Sequence, residues 1–178
     1  SNVLAALALA FAVAPAAWVQ GVTEIRALLR EYPGLAHRCE AVAEINGVRY
    51  INDSKATNVG ATVAAIEGLG PDTKGQLLLL LGGDGKGADF DVLADAVLSG
   101  VRGAFVYGAA ASELESVLRS VVMTRRCETL AAALTAAHDL AEPGDCVLLS
   151  PACASFDQFA NFAARGDAFR NYVQELAA

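Results

Sequence analysis

Histidine is scarce in this chain and paired cysteines are missing from it. Two histidines in 178 residues leave little material for a nucleophile–base–acid triad, and no G-x-S-x-G elbow presents a serine. The four cysteines, Cys39, Cys127, Cys146 and Cys153, form no C-x-x-C pair. Their spacing argues against a structural zinc site and fits free thiols in a reducing cytoplasm. Basic residues are outnumbered, 13 Lys and Arg against 20 Asp and Glu, for a formal charge of -7. That balance disfavours nucleic acid or an anionic membrane as a partner, yet leaves room for a local basic pocket. Apolar residues, by contrast, are abundant at 54%. They suffice for a sizeable core and exclude a disordered chain. The length allows one domain, or one domain and a fragment of a second.

The stretch Val3–Val19 is nearly all Ala, Leu and Val. It lacks a basic lead-in, contains Pro15 and is short and weakly hydrophobic for a membrane span. A buried Ala-rich helix is expected there, and the Ser1-Asn2 start looks cut from something longer. Val22, Ile25, Leu28 and Leu29 share one face of an amphipathic helix over Val22–Tyr32, which Pro33-Gly34 ends. A domain boundary is placed between Pro33 and Arg38. Beyond it, Cys39–Ile45 and Val48–Ile51 flank Asn46-Gly47, a strong hairpin signal because both residues tolerate the positive φ of a type I′ turn.

From there apolar runs and amphipathic segments alternate. Helices are expected at Val59–Leu69, Phe90–Leu98, Ala110–Arg119 and Leu130–Ala141, with a last one ending near Leu176. Strands are expected at Gln76–Leu81, Gly103–Tyr107, Val121–Met123 and Asp145–Ser150. The unbroken Leu run at 77–81 reads as a strand buried on both faces of a parallel sheet. The pattern predicts an α/β domain: a Rossmann-like, doubly wound, mostly parallel sheet preceded by a β-hairpin. Right-handed crossovers would gather three strand-end loops, 52–58, 82–90 and 150–159, at one edge of that sheet.

Each loop carries chemistry and also has a plainer reading. Asn52-Asp-Ser-Lys-Ala-Thr-Asn58 is dense in polar side chains, as a site at a strand end would be; the plain alternative is a connection whose Asn or Asp caps the next helix. Gly82-Gly-Asp-Gly-Lys-Gly-Ala-Asp89 fails both the Walker pattern and the G-x-G-x-x-G fingerprint. It can bring N–H groups and the Lys86 ammonium to an anion, or serve as a flexible turn. Ser155 can cap the following helix or offer its hydroxyl to a carboxylate. Cys153 reads as a small buried residue rather than a nucleophile paired with His37 or His138, and His138 as structural. His37-Arg38 is either a surface basic pair or a guanidinium aimed at a phosphate or ribose where two domains meet.

Taken together, His37-Arg38, Asn52–Asn58, Leu79-Leu-Leu-Gly-Gly-Asp-Gly-Lys-Gly-Ala-Asp-Phe90 and Leu149-Ser-Pro-Ala-Cys-Ala-Ser-Phe-Asp-Gln-Phe159 closely resemble the Mur ligase family. The likeness is best to its D-glutamate-adding branch and covers essentially the whole chain in order. It implies that residues 1–35 are the end of a central, ATP-binding domain and that 36–178 are the C-terminal, amino-acid-binding domain. It implies an ATP-dependent ligase of peptidoglycan synthesis that activates the carboxylate of UDP-N-acetylmuramoyl-L-alanine as an acyl phosphate, which the amine of D-glutamate then attacks. Mg²⁺ and positioned cations would hold the charge that develops on oxygen.

By the same resemblance Asn2 would touch adenine, while Arg38 and Asp53 would hold the ribose and phosphates. Thr57, Lys86, Ser155, Phe156 and Phe162, the last through its backbone, would hold D-glutamate. Lys55 would be a further cation near the phosphates and the one candidate catalytic residue. A cytoplasmic, monomeric enzyme is implied. The family's phosphate loop, its Mg²⁺ ligands and its modified lysine do not occur in this sequence, and Cys39 stands where a larger apolar residue is expected. The chain is therefore expected to be inactive by itself. Alternatives are another Mur-type or folylpolyglutamate-type ligase, or a non-catalytic module for an anionic metabolite.

Overall fold

The computed structural model describes residues 2–13 and 34–177. Two compact units separate, residues 1–34 and 35–178. In the first, α1 (Asn2–Val13) is a helix of apolar residues with no polar stripe. The expectation that it is buried fails over residues 8–13, where Leu9, Phe11 and Val13 are exposed. The rest of Val3–Val19 and the helix expected at Val22–Tyr32 lie outside the described residues. Among the described residues no helix is long and apolar enough to cross a membrane.

The second unit opens with the expected hairpin. Strand β1 (Glu40–Ile45) pairs antiparallel with β2 (Val48–Asn52), and Asn46 and Gly47 take φ of 53° and 80° at the turn. There follow α2 (Val59–Leu69), β3 (Leu77–Gly82), α3 (Asp91–Val97), β4 (Val101–Tyr107), α4 (Ala111–Leu118), β5 (Met123–Arg126), α5 (Leu130–Leu140), β6 (Cys146–Leu149) and α6 (Phe162–Leu176). The six strands lie in the order β1-β2-β6-β3-β4-β5, with every pairing after the hairpin parallel. The α/β, Rossmann-like reading holds.

The strand expected at Val121–Met123 runs instead over Met123–Arg126. The N–H groups of Val121 and Val122 both donate to the Leu118 carbonyl, closing α4, so the extended chain begins only afterwards.

Strand periodicity explains why a run of five leucines is compatible with one sheet. Leu77, Leu79 and Leu81 point into a core with α2, α3 and α4; Leu78 and Leu80 point into a second core with α5 and α6. All five are fully buried, each worth about 1.5–3 kcal/mol against exposure. The layers also fix where a crevice opens. After β3 the chain turns to the α3 face, and after β6 it turns to the α6 face. Since β3 and β6 are neighbours, their connections diverge at a topological switch point, where open α/β sheets bind ligands.

Candidate functional site

The sheet order puts the C-terminal ends of β2, β6 and β3 side by side, so the three polar loops meet at one edge, as expected. The β2 loop is built from its own side chains. Asn52 is buried; its Oδ1 accepts from the Ser54 N–H (3.2 Å) and its Nδ2 donates to Glu40 and to the Gly166 carbonyl (both 3.2 Å). Asp53 is buried too, with Oδ1 accepting from Cys39 N–H (3.2 Å) and Oδ2 from the Ser150 hydroxyl (2.9 Å). Burial pushes the Asp53 carboxyl above the usual range, against the pull of those two donors and of the nearby Arg38 charge. The loop ends at Asn58, whose side chain accepts from Ala61 N–H (3.0 Å) and caps α2.

The β3 and β6 loops are stitched to each other. Asp84 and Ala154 exchange both backbone hydrogen bonds, each 2.9 Å, and Gly82 N–H donates to the Pro151 carbonyl (2.9 Å). Gly83 sits at φ 126°, and a Cβ there would collide with the Ala154 carbonyl. Only glycine permits this approach. Ser155 is buried but does not cap the next helix, contrary to one of its two expected roles. Its carbonyl accepts from Gln158 and Phe159 N–H in a turn, and α6 is capped by Asn161, which accepts from Ala164 N–H (2.8 Å). Turn formation defers the helix to Phe162.

One residue joins all three loops, and the sequence reading passed it over. Arg165, fully buried in α6, donates Nε–H to Ser54 Oγ (3.0 Å) and Nη2–H to the Ser54 carbonyl (2.9 Å). It also reaches the carbonyls of Gly82 (3.3 Å), Cys153 (3.1 Å) and Ala154 (3.3 Å). Ser54 in turn donates its hydroxyl to the Phe162 carbonyl (2.7 Å). Burial lowers the basicity of the guanidinium; its planar fork is what lets one side chain serve acceptors on separate loops. The signal was available in the sequence. Phe162, Gly166, Phe169 and Val173 mark the inward face of α6, and Arg165 falls on it.

Two lysines face out from this frame. The Lys55 Nζ lies 4.1 Å from the Phe162 ring centroid, and the Lys86 Nζ lies 5.1 Å from that of Phe156. Among the described residues neither ammonium makes an ion pair. Thr57 is partly exposed on the β2 loop, and Phe156 is exposed beyond the stitched pair. Arg38 is exposed before β1. His37 is buried at φ 62°, within 3.9 Å of Glu40 and Asp167, so it is a packed residue of the second unit rather than half of a surface basic pair. Asn2 belongs to the first unit.

Three further titratable groups, Glu40, Cys153 and His138, are engaged within the fold. Burial opposes ionisation of Glu40, but the His37 N–H and the Arg170 guanidinium outweigh it and hold the carboxyl below its usual value. Cys153 is buried, and burial pushes its thiol up to about 12, consistent with packing rather than attack. His138 Nδ1 is hydrogen-bonded to the Tyr50 hydroxyl. Among the described residues no group of three or more His, Cys, Asp or Glu could hold a metal ion.

At the divergence of β3 and β6 the backbone of two loops is stitched together, and two lysines that make no ion pair among the described residues stand at the same sheet edge; in open α/β sheets ligands bind at such a switch point. The model of the Mur ligase glutamate ligase domain matches residues 37–153, and the chain belongs to the Mur ligase family. It is 51% identical over 176 residues to the UDP-N-acetylmuramoylalanine–D-glutamate ligase of Hahella chejuensis, covering 99% of this chain and 38% of that protein. It is 54% identical over 146 residues to the ligase of the same name from Chromohalobacter salexigens, covering 82% and 32%. The chain thus spans about a third of the length of these relatives.

Solved structures share the fold at low identity. The bifunctional folylpolyglutamate synthase/dihydrofolate synthase of Yersinia pestis, complexed with AMPPNP and Mn ion, matches with a TM-score of 0.58 at 18% identity, over 83% of this chain and 33% of that one. A murein peptide ligase of Psychrobacter arcticus matches with a TM-score of 0.57 at 14% identity, over 84% and 31%.

Proposed function

We propose that this chain supplies the amino-acid-binding end of an ATP-dependent ligase that joins D-glutamate to UDP-N-acetylmuramoyl-L-alanine in the cytoplasm, acting as a monomer. The observation that carries the reading is that Lys55 and Lys86, which make no ion pair among the described residues, stand at one sheet edge on loops that Arg165 locks together. A dicarboxylic amino acid needs point charges for its carboxylates and leaves its amine free to attack. Lys86 would take one carboxylate, with the Ser155 and Thr57 hydroxyls and the Phe162 backbone completing the cradle and Phe156 at its rim. Lys55, on the β2 loop with Asp53, would face the phosphates.

Arg38 and Asp53 would hold the nucleotide. The Asp53 carboxylate accepts from the Cys39 N–H and the Ser150 hydroxyl, and a carboxylate has further lone pairs for a ribose diol. ATP, when bound, supplies the phosphoryl group that activates the acceptor carboxylate. The residues here orient the incoming amine and stabilise negative charge as the amide forms. Mg²⁺ finds no ligand set among the described residues, and no step is assigned to it on this chain.

The test is a graft. This chain replaces the corresponding segment of the Hahella chejuensis ligase in cells depleted of their own D-glutamate ligase. Growth is expected with the graft and is expected to be lost with Lys86→Ala. A folded, expressed graft that adds a different amino acid, or none, would sink the proposal.

A further inference from the structure

We propose that Phe156 is a positioning residue acting through Lys86: its ring seats the ammonium at the sheet edge and so strengthens binding of the acidic substrate. The proposal rests on the reading of Lys86 as a carboxylate-binding residue. Phe156 is 64% exposed, so core packing does not explain a phenyl ring at this polar edge. What it touches is a cation. Phe156 and Lys86 come from loops on different strands, and each stands two residues past the Asp84–Ala154 pair that stitches those loops together.

The backbone end of Lys86 is fixed as well. Its N–H donates to Asp84 Oδ1 (3.0 Å) and its φ is 50°. Only the flexible stem is left free, and the negative face of the ring draws the ammonium to one place. The cost of ordering a long side chain is thereby partly met before a ligand arrives. The same segment repeats the device at its other end, where Phe162 seats Lys55.

The experiment uses the grafted ligase and steady-state kinetics in D-glutamate. Phe156→Leu keeps apolar bulk and loses the π face; Phe156→Tyr keeps both. Phe156→Leu is expected to raise the D-glutamate KM about two- to fivefold, as for a cation–π contact at an exposed site, with kcat changed much less, and Phe156→Tyr is expected to restore KM. In a Lys86→Ala background, Phe156→Leu is expected to lower kcat/KM no further.

An unmoved KM in Phe156→Leu, with Lys86→Ala defective, overturns this proposal alone. An undiminished Phe156→Leu effect on top of Lys86→Ala also overturns it, placing the ring directly on the substrate. Lys86→Ala with an unchanged KM overturns the reading of the pocket and this proposal with it. A second readout needs no activity. Proton NMR of the 178-residue chain should show Lys86 ε-methylene protons shifted upfield by the ring and returned to the ordinary position by Phe156→Leu; an ordinary position in the unsubstituted chain would refute the contact.

Discussion

Replacing Arg165 by methionine should loosen three loops at once. The guanidinium serves Ser54 Oγ and the carbonyls of Ser54, Gly82, Cys153 and Ala154, at 2.9–3.3 Å. Of these, the Ala154 carbonyl also accepts from Asp84 N–H and keeps a partner. Bonds to a charged donor contribute about 1.5–3 kcal/mol each, which summed naively would exceed the stability of most domains, about 5–15 kcal/mol. Removing the buried cation also removes its desolvation penalty, which is several kcal/mol. Methionine fills much of the space and avoids most of a cavity term. The balance is a loss of about 3 kcal/mol.

Arg165→Lys keeps the charge but has no planar fork to span acceptors on separate loops, so it should recover only part of that loss. The assay is urea unfolding of the 178-residue chain followed by far-UV circular dichroism, with hydrogen exchange at residues 52–58 and 82–88 as a local readout. An unfolding free energy within about 1 kcal/mol of the unsubstituted chain, well below the expected loss, together with unchanged exchange in both loops, would refute the clamp.

Gly83→Ala should cost at least about 2 kcal/mol, because a Cβ meets the Ala154 carbonyl and φ is 126°; a thermal melt unchanged from the parent would contradict this. Cys146 and Cys153 should make the fold sensitive to alkali. Burial pushes their thiols from an ordinary 9.0 to about 11 and about 12. The folded state therefore holds these protons more tightly than the unfolded chain. The stability this represents is complete below about pH 9 and is lost as pH rises toward 11–12. Urea midpoints at pH 8 and pH 10.5 should diverge less in Cys153→Ala than in the parent, and equal divergence would count against it.

Much of this protein can be read locally. Asn46-Gly47 dictates a hairpin because a positive φ at both residues comes easily only to such a pair. Leu77–Leu81 dictates a doubly buried strand, since a period of two sends a continuous apolar run to both faces. The three strand-end loops were legible because polar and glycine clusters interrupt those runs, and their motifs were enough to suggest the family.

Tertiary structure decided the rest. Which loops adjoin follows from the strand order β2-β6-β3, which places a late strand between two early ones. The Arg165 clamp spans 111 residues to Ser54 and 83 to Gly82, separations at which no local propensity operates. Whether Ser155 caps a helix depended on where the chain next coils, and the start of β5 on how α4 closed. Phe156 and Lys86 meet only because backbone from two loops is stitched at Asp84 and Ala154. Local sequence fixes φ, ψ and periodicity within a turn or a strand; which side chains meet across the sheet edge is set by packing of the whole second unit.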